Sequence, residues 1–178
     1  MARVLVAFAS REGHTELIAH HVVRQLEDRG HLTRLINLTR HEGEAGADDY
    51  DATIIAGSIH VGSFAPEVLG FLMRHGPAVR EHVSAFLPVS LSAASHDDAE
   101  IAAINEIADR FLFEAGWQPE FVEHVAGAVY DRELNAVERT VLHMIMRQHE
   151  TVPDPSGSTV LTDWGRLDEF IGAFAAKL

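Results

Sequence analysis

The chain has 178 residues, 47% of them apolar, which is material for one buried core of ordinary domain size. It contains no cysteine, which excludes a disulfide framework, thiolate-ligated zinc or iron–sulfur centres and a cysteine nucleophile. Acidic residues number 27 against 14 basic ones, a net charge of -13, which argues against a reader of nucleic-acid phosphates and for a small-molecule partner.

Lys177 is the one lysine; the other basic residues are arginines. A high-salt cytosol favours such an acidic, lysine-poor surface because counterions screen its self-repulsion, and a GC-rich coding bias accounts for the missing lysines equally well. The high-salt reading predicts a melting temperature that rises between low salt and molar KCl; a flat or falling one contradicts it. No apolar run reaches the roughly 18 residues of a membrane span, and Met1-Ala2-Arg3 leads directly into a strand-like segment, so a cytoplasmic protein without a secretion signal is expected.

Residues 3–9 (RVLVAFA) form a short apolar, β-favouring run and predict a strand buried on both faces. From His14 to Asp28 the positions Leu17, Ile18, His21, Val22 and Leu26 recur at helical spacing, and Gly30 stands where a helix would stop. Residues 32–37 predict a second strand, 38–50 an acidic loop, and 51–57 (DATIIAG) a third, buried strand. Pro66 suits the first turn of a helix expected to end near His75.

Residues 84–90 (SAFLPVS) predict a fourth strand, in which Pro88 argues against a central position. A long helix follows from Asp97 to Gly116, with Ile101, Ile104, Ile107, Ala108 and Phe111 on one side. Residues 121–130 predict a fifth strand. Residues 162–178 predict a closing helix with Trp164, Leu167, Phe170, Ile171 and Phe174 inward. Alternating strands and helices imply a parallel sheet covered on both faces, within one domain spanning residues 1–178. Residues 131–158 break the alternation: an apolar helix near 134–148, then a loop holding Pro153, Asp154, Pro155 and Gly157. They are expected to be an insertion that interrupts the fifth strand and returns to it through 158–161.

The hexapeptide Ser10-Arg11-Glu12-Gly13-His14-Thr15 lies between the first strand and the first helix. A phosphate there would meet free backbone N–H groups, the positive end of the helix dipole and the hydroxyls of Ser10 and Thr15, while Gly13 permits close approach. An ordinary hydroxyl-capped helix start is the competing reading. The loop has neither dinucleotide nor Walker spacing. The segment Gly57-Ser58-Ile59-His60-Val61-Gly62-Ser63-Phe64 follows the third strand. In a doubly wound sheet of order 2-1-3-4-5 both loops flank the topological switch point and so border one crevice. Small residues there would let a flat ring lie close to the backbone, with His60 placed to stack on it or donate to it. His14 and His60 lack the accompanying carboxylates of a zinc or iron site, and adjacent His20 and His21 cannot share a helix face, so no metal is expected.

These motifs, together with V-S-L-S-A at 89–93, V-A-G-A-V-Y at 125–130, M-I-M at 144–146 and T-D-W at 162–164, resemble the flavodoxin superfamily over nearly the whole chain. Within it they resemble the oxygen-independent, menaquinone-dependent protoporphyrinogen IX dehydrogenases. The resemblance implies a flavodoxin-like doubly wound α/β fold with a five-stranded parallel sheet (order 2-1-3-4-5) and bound FMN. It implies that Ser10, Arg11, Glu12, Gly13, His14 and Thr15 hold the FMN phosphate. By the same resemblance Ser58, Ile59, His60, Val61 and Gly62 border the isoalloxazine, and Ser90, Leu91 and Ser92 form a third FMN-contacting loop. His60 is then the candidate catalytic residue. The implied reaction is six-electron oxidation of protoporphyrinogen IX to protoporphyrin IX, in haem biosynthesis, with a quinone as acceptor. The flavin would do the hard chemistry, and no catalytic triad is present.

The chain departs from that family where related enzymes often carry cations: it has His60 after the third strand, and Ala93 to Asp98 after the fourth. On the insert helix, however, Arg139, His143 and Arg147 fall at i, i+4 and i+8 beside a mostly apolar stripe of Val137, Val141, Met144, Ile145 and Gln148. The stripe is expected to meet the porphyrinogen, the quinone or the inner face of the cell membrane, with the cationic line as a substrate-binding set for carboxylates or lipid phosphates. Packing on the domain, or on a second copy in a homodimer, is the alternative. Thr162 and Asp163 also read as an N-cap and first turn of the last helix. Two further activities fit the same residues: a flavodoxin-like electron-transfer protein and an NAD(P)H:quinone reductase.

Overall fold

A computed structural model describes residues 1–10, 13–40, 46–130 and 158–178. The main sheet is built on β1 (Arg3–Ala9), β2 (Leu32–Asn37), β3 (Ala52–His60), β4 (Ser63–Phe64), and, after α2 (Pro66–Glu81), β5 (Val83–Ser90). Helix α1 (His14–Asp28) links β1 to β2, and α3 (Asp98–Ala115) leads to β6 (Phe121–Val122) and β7 (Val125–Ala126). A ribbon of β8 (Ala128–Tyr130) and β9 (Ser158–Val160) and the closing helix α4 (Trp164–Ala175) complete the described chain. The parallel order is β2-β1-β3-β5, then β6 and β7 along the outer side of β5. This is the expected 2-1-3-4-5 order, with the fifth strand split in two.

The sheet is apolar on both faces because strand residues alternate between them. Leu5, Ala7 and Ala9 of β1 join Ile55, Phe71, Leu72, Val79, Phe86 and Phe111 under α2 and α3. Val4, Val6 and Phe8 join Ile18, Val22, Leu26, Ile54, Leu87, Ile171 and Phe174 under α1 and α4. Leu17, expected inward, is exposed, and Thr15, Ala19 and His14 fill the buried face of α1 instead.

Pro88 occupies a central strand, contrary to expectation, and the sheet accommodates it by interrupting one ladder. Phe86 O accepts from Glu123 N and Ser90 O accepts from Gly127 N, so every second residue of β5 presents its backbone to the fifth strand. Pro88 lies midway between them and has no N–H to donate. The pairing accordingly lapses between Phe86↔Val122 and Val89↔Val125, while the β3 side stays continuous through Gly57↔Pro88.

Other bounds shift for packing reasons. Helix α2 continues through Gly76 and Pro77 to Glu81, six residues past the expected end, because Ala78 and Val79 bury against the core. The last helix begins at Trp164, not Thr162, with Asp163 as its N-cap: the Asp163 carboxylate accepts from Arg166 N. The return from the insertion comes back antiparallel, as β9 against β8, in a separate two-stranded ribbon beside the main sheet. The insert helix expected at 134–148 lies outside the described residues.

Candidate functional site

Because β1, β3, β5 and β7 run parallel, the loops that follow them emerge along one edge. Ala9 is in register with Gly57, Ser58 with Val89, and Ser90 with Ala126. Adjacent strands stand about 4.8 Å apart, so Ser10, Gly13, His14 and Thr15, then Ser58–Gly62 and Ser90–Ser92, follow neighbouring strands at one edge of the sheet, at the switch point between β1 and β3. The structure therefore brings together the expected site residues that are described. Arg11 and Glu12, like Arg139, His143 and Arg147, lie outside the described residues.

The first loop is shaped as an anion cradle. Gly13, at φ 90°, occupies the left-handed region, and the position its Cβ would take has nothing within 4 Å. Gly13 N donates to Ser10 Oγ at 3.0 Å, and among the described residues no side chain caps the first turn of α1, leaving its N–H groups available. His14 opens the helix and is only 5% exposed. Its Nε2 lies 2.7 Å from Thr162 Oγ1, and Thr162 Oγ1 donates to Ala126 O at 2.6 Å. The His14 ring also faces Trp164, centroids 6.3 Å apart. Burial pushes the His14 imidazole below the ordinary histidine range.

The second loop is a projecting hairpin. β3 runs three residues past the expected Gly57 and pairs with β4 as Ile59↔Phe64 and His60↔Ser63. Val61 at φ 48° and Gly62 at φ 73° make the tight turn, and Val61 is fully exposed. Among the described residues Val61 is the one non-glycine at positive φ, a strained choice for a β-branched side chain. The hairpin is held from both sides: Phe64 packs on Phe86 and Phe111 at 5.1 and 4.7 Å, and Arg110 Nη2 donates to Gly62 O at 3.2 Å. His60 is half-buried at the hairpin, and Ser58 Oγ is buried without a partner. In the third loop Ser90 Oγ accepts from Ala93 N at 3.2 Å, which shapes the turn.

Beyond that third loop lies a cleft of about 630 Å³ bordered by Ser95, His96, Ile101, His124, Thr162 and Arg166. Arg166 is paired with Glu123. The His124 imidazole is held low by burial, opposed by the nearby Glu123 and Asp109 charges and assisted by Arg166. Among the described residues no group of three or more His, Asp or Glu is arranged to hold a metal ion. No helix among them is long and apolar enough to cross a membrane.

A flavodoxin domain matches residues 5–156. The chain belongs to the flavodoxin domain family. A flavodoxin of Streptococcus pneumonia TIGR4 superposes with a TM-score of 0.56 over 99% of this chain and all of its own, at 20% identity, and so shares the fold. A Fusobacterium nucleatum flavodoxin bound to flavin mononucleotide superposes at 0.50 with 12% identity over 99% of this chain and 96% of its own. In sequence the chain is 27% identical to the protoporphyrinogen IX dehydrogenase [quinone] of Escherichia coli (strain K12) over 94% of this chain and 92% of that protein. It is 26% identical to the protein of the same name in Leishmania major, over 98% of this chain and 75% of that one.

FMN is the cofactor of this flavodoxin domain, and the residues present fit it. The open side of Gly13 leaves room for a phosphate, the N–H groups at the start of α1 offer donors, and two buried polar atoms at this edge, His14 Nδ1 and Ser58 Oγ, lack a partner among the described residues. Thr162 is the residue that reading for a helix cap misses: its hydroxyl joins His14, at the start of α1, to the end of β7. The T-D-W motif was the available signal. Arg110, which anchors the hairpin from α3, had no signal at all.

Proposed function

We propose that this flavodoxin-domain protein, working as one unit of 178 residues, is an FMN-dependent oxidoreductase that converts protoporphyrinogen IX to protoporphyrin IX for haem biosynthesis. A quinone would be its electron acceptor. The observation that carries the reading is the match to curated protoporphyrinogen IX dehydrogenases along 94–98% of the chain. Bound FMN would supply reversible two-electron chemistry, and a six-electron oxidation would consume three quinones, each reduced to quinol.

The protein's own residues then bind, orient and exclude. The 10–15 loop would hold the phosphate, residues 58–62 would border the ring, and Ser90, Leu91 and Ser92 would close its other side. His60, at the base of the Val61 turn, would accept or give a proton at the ring's edge. Arg139, His143 and Arg147 would pair with the two propionates, with the apolar stripe beside them on the macrocycle or quinone. That stripe would also give the cytoplasmic protein a transient seat on the inner membrane face, where a quinone dissolves.

Two measurements test this. Protoporphyrinogen IX added without oxygen to the FMN-loaded protein should bleach the flavin absorbance, while NADPH should not. Bleaching by NADPH alone would replace the proposal with an NAD(P)H:quinone reductase, and bleaching by neither would leave an electron carrier. The double substitution Arg139→Gln, Arg147→Gln should lower turnover about tenfold or more at unchanged FMN content, by loss of charge-assisted carboxylate pairs worth about 1.5–3 kcal/mol each. Unchanged turnover removes the substrate role of the insert.

A further inference from the structure

The hydrogen-bond order around His14 determines where its protons can go. Thr162 has one hydroxyl proton, and it is committed to Ala126 O, which can only accept. Thr162 Oγ1 therefore accepts from His14, and the proton of that 2.7 Å contact sits on Nε2. In the neutral imidazole the second nitrogen, Nδ1, is then a bare acceptor, and it is buried with no partner among the described residues. Side chains of a first helical residue lean toward the helix N-terminus, so this orphan atom belongs to the same end of α1 as the uncapped N–H groups and Gly13. A phosphate dianion set there would face donors from the backbone but a lone pair from His14. One added proton turns that lone pair into a charged donor.

We propose that the FMN phosphate and a proton bind together: phosphate binding places one proton, taken from solvent, on His14 Nδ1, which then donates to a phosphate oxygen. This rests on the FMN reading of the crevice. Fixed by Thr162, the ring does not need to reorient. The neighbouring charges among the described residues are otherwise engaged. Asp168 of α4 lies 2.6 Å from His21, Asp163 caps α4, and Glu16 on α1 lies 4.0 Å from Arg40. Glu123 is paired with Arg166. Arg11 and Glu12 precede Gly13 in the loop, outside the described residues.

The sign follows from the two states. In the free protein burial favours neutral His14, and in the complex the dianion favours the imidazolium, so the group's pKa rises on binding and affinity falls as pH rises. The second phosphate ionisation lies near about pH 6, so the ligand is mainly the dianion above pH 7, and its own titration would strengthen binding with pH, in the opposite direction.

Titrating apoprotein with FMN by flavin fluorescence between about pH 6.5 and 8.5 should show a Kd that rises by up to about tenfold per pH unit. Riboflavin, which lacks the phosphate, and the His14→Gln variant, whose amide does not titrate, should each change by less than about twofold. On the unaltered protein, the ¹⁵N spectrum of the His14 ring at pH 7.5 should pass from neutral to doubly protonated when FMN is added. A flat FMN profile, or a His14 ring that stays neutral in the complex, overturns the proposal and leaves FMN binding standing. Failure of FMN to bind at any of these pH values overturns both.

Discussion

Phe86→Ala should destabilise the folded domain by about 3–5 kcal/mol, the range for removing a large buried aromatic side chain. Phe86 is fully buried on β5 at the meeting point of three other rings: Phe64 at 5.1 Å, Phe111 at 5.4 Å in a near-parallel stack, and Trp117 at 5.5 Å. Trp117 is itself tied down, its Nε1 donating to Ser84 Oγ at 3.1 Å, so the cavity has little freedom to collapse from that side. The change should also reach the crevice. Phe64 is the base of the β3–β4 hairpin, and it keeps His60 and Val61 at the rim by packing on Phe86. Urea unfolding checks the first effect and FMN affinity of the surviving folded fraction the second. A loss below about 1 kcal/mol would mean that the aromatic cluster is not the core of that face.

Thr162→Val should cost about 2–4 kcal/mol while leaving the shape of the site unchanged. Valine fills the same volume, so no cavity is made, but Ala126 O loses its 2.6 Å donor and His14 Nε2 its 2.7 Å acceptor, both in a buried setting. Each buried polar group left without a partner costs about 1–3 kcal/mol. FMN affinity should fall with it, because His14 is no longer fixed at the start of α1. Thr162→Ser keeps the hydroxyl and should recover most of both. Thermal melting and FMN titration of the two variants check this; a valine variant that melts like the parent chain would show that the hydroxyl is not part of the buried network.

The fold was legible where burial writes itself into local sequence. β1 and β3 are continuous apolar runs because both their faces are covered, and α3 announces its start through Asp97, whose carboxylate accepts from Ala99 N and Glu100 N. It was less legible where tertiary packing overrules local chemistry. Gly76-Pro77 reads as a helix stop, yet the burial of Ala78 and Val79 carries α2 past it. Pro88 reads as an edge residue, yet the neighbouring strand yields instead, splitting into β6 and β7.

The candidate site divides the same way. Its loops could be placed from strand–helix punctuation, since Ser10 to Thr15 and Ser58 to Gly62 are local features. The His14–Thr162 contact could not, because it joins residues 148 positions apart and depends on how α4 docks beside α1. Asp163 takes the cap that Thr162 also suits, freeing the threonine hydroxyl for His14 and Ala126 O. The β3–β4 hairpin was hidden by Val61, a residue type that argues against the positive φ it adopts.

The central claim, an FMN site that oxidises a porphyrinogen at the expense of a quinone, is tested most directly by porphyrin fluorescence in the absence of oxygen. The FMN-loaded protein is supplied with protoporphyrinogen IX, with and without menadione. Sustained growth of protoporphyrin IX fluorescence that requires both the protein and menadione is the predicted result. Fluorescence that grows no faster than in the protein-free control, from a protein whose visible spectrum shows bound flavin, would contradict it.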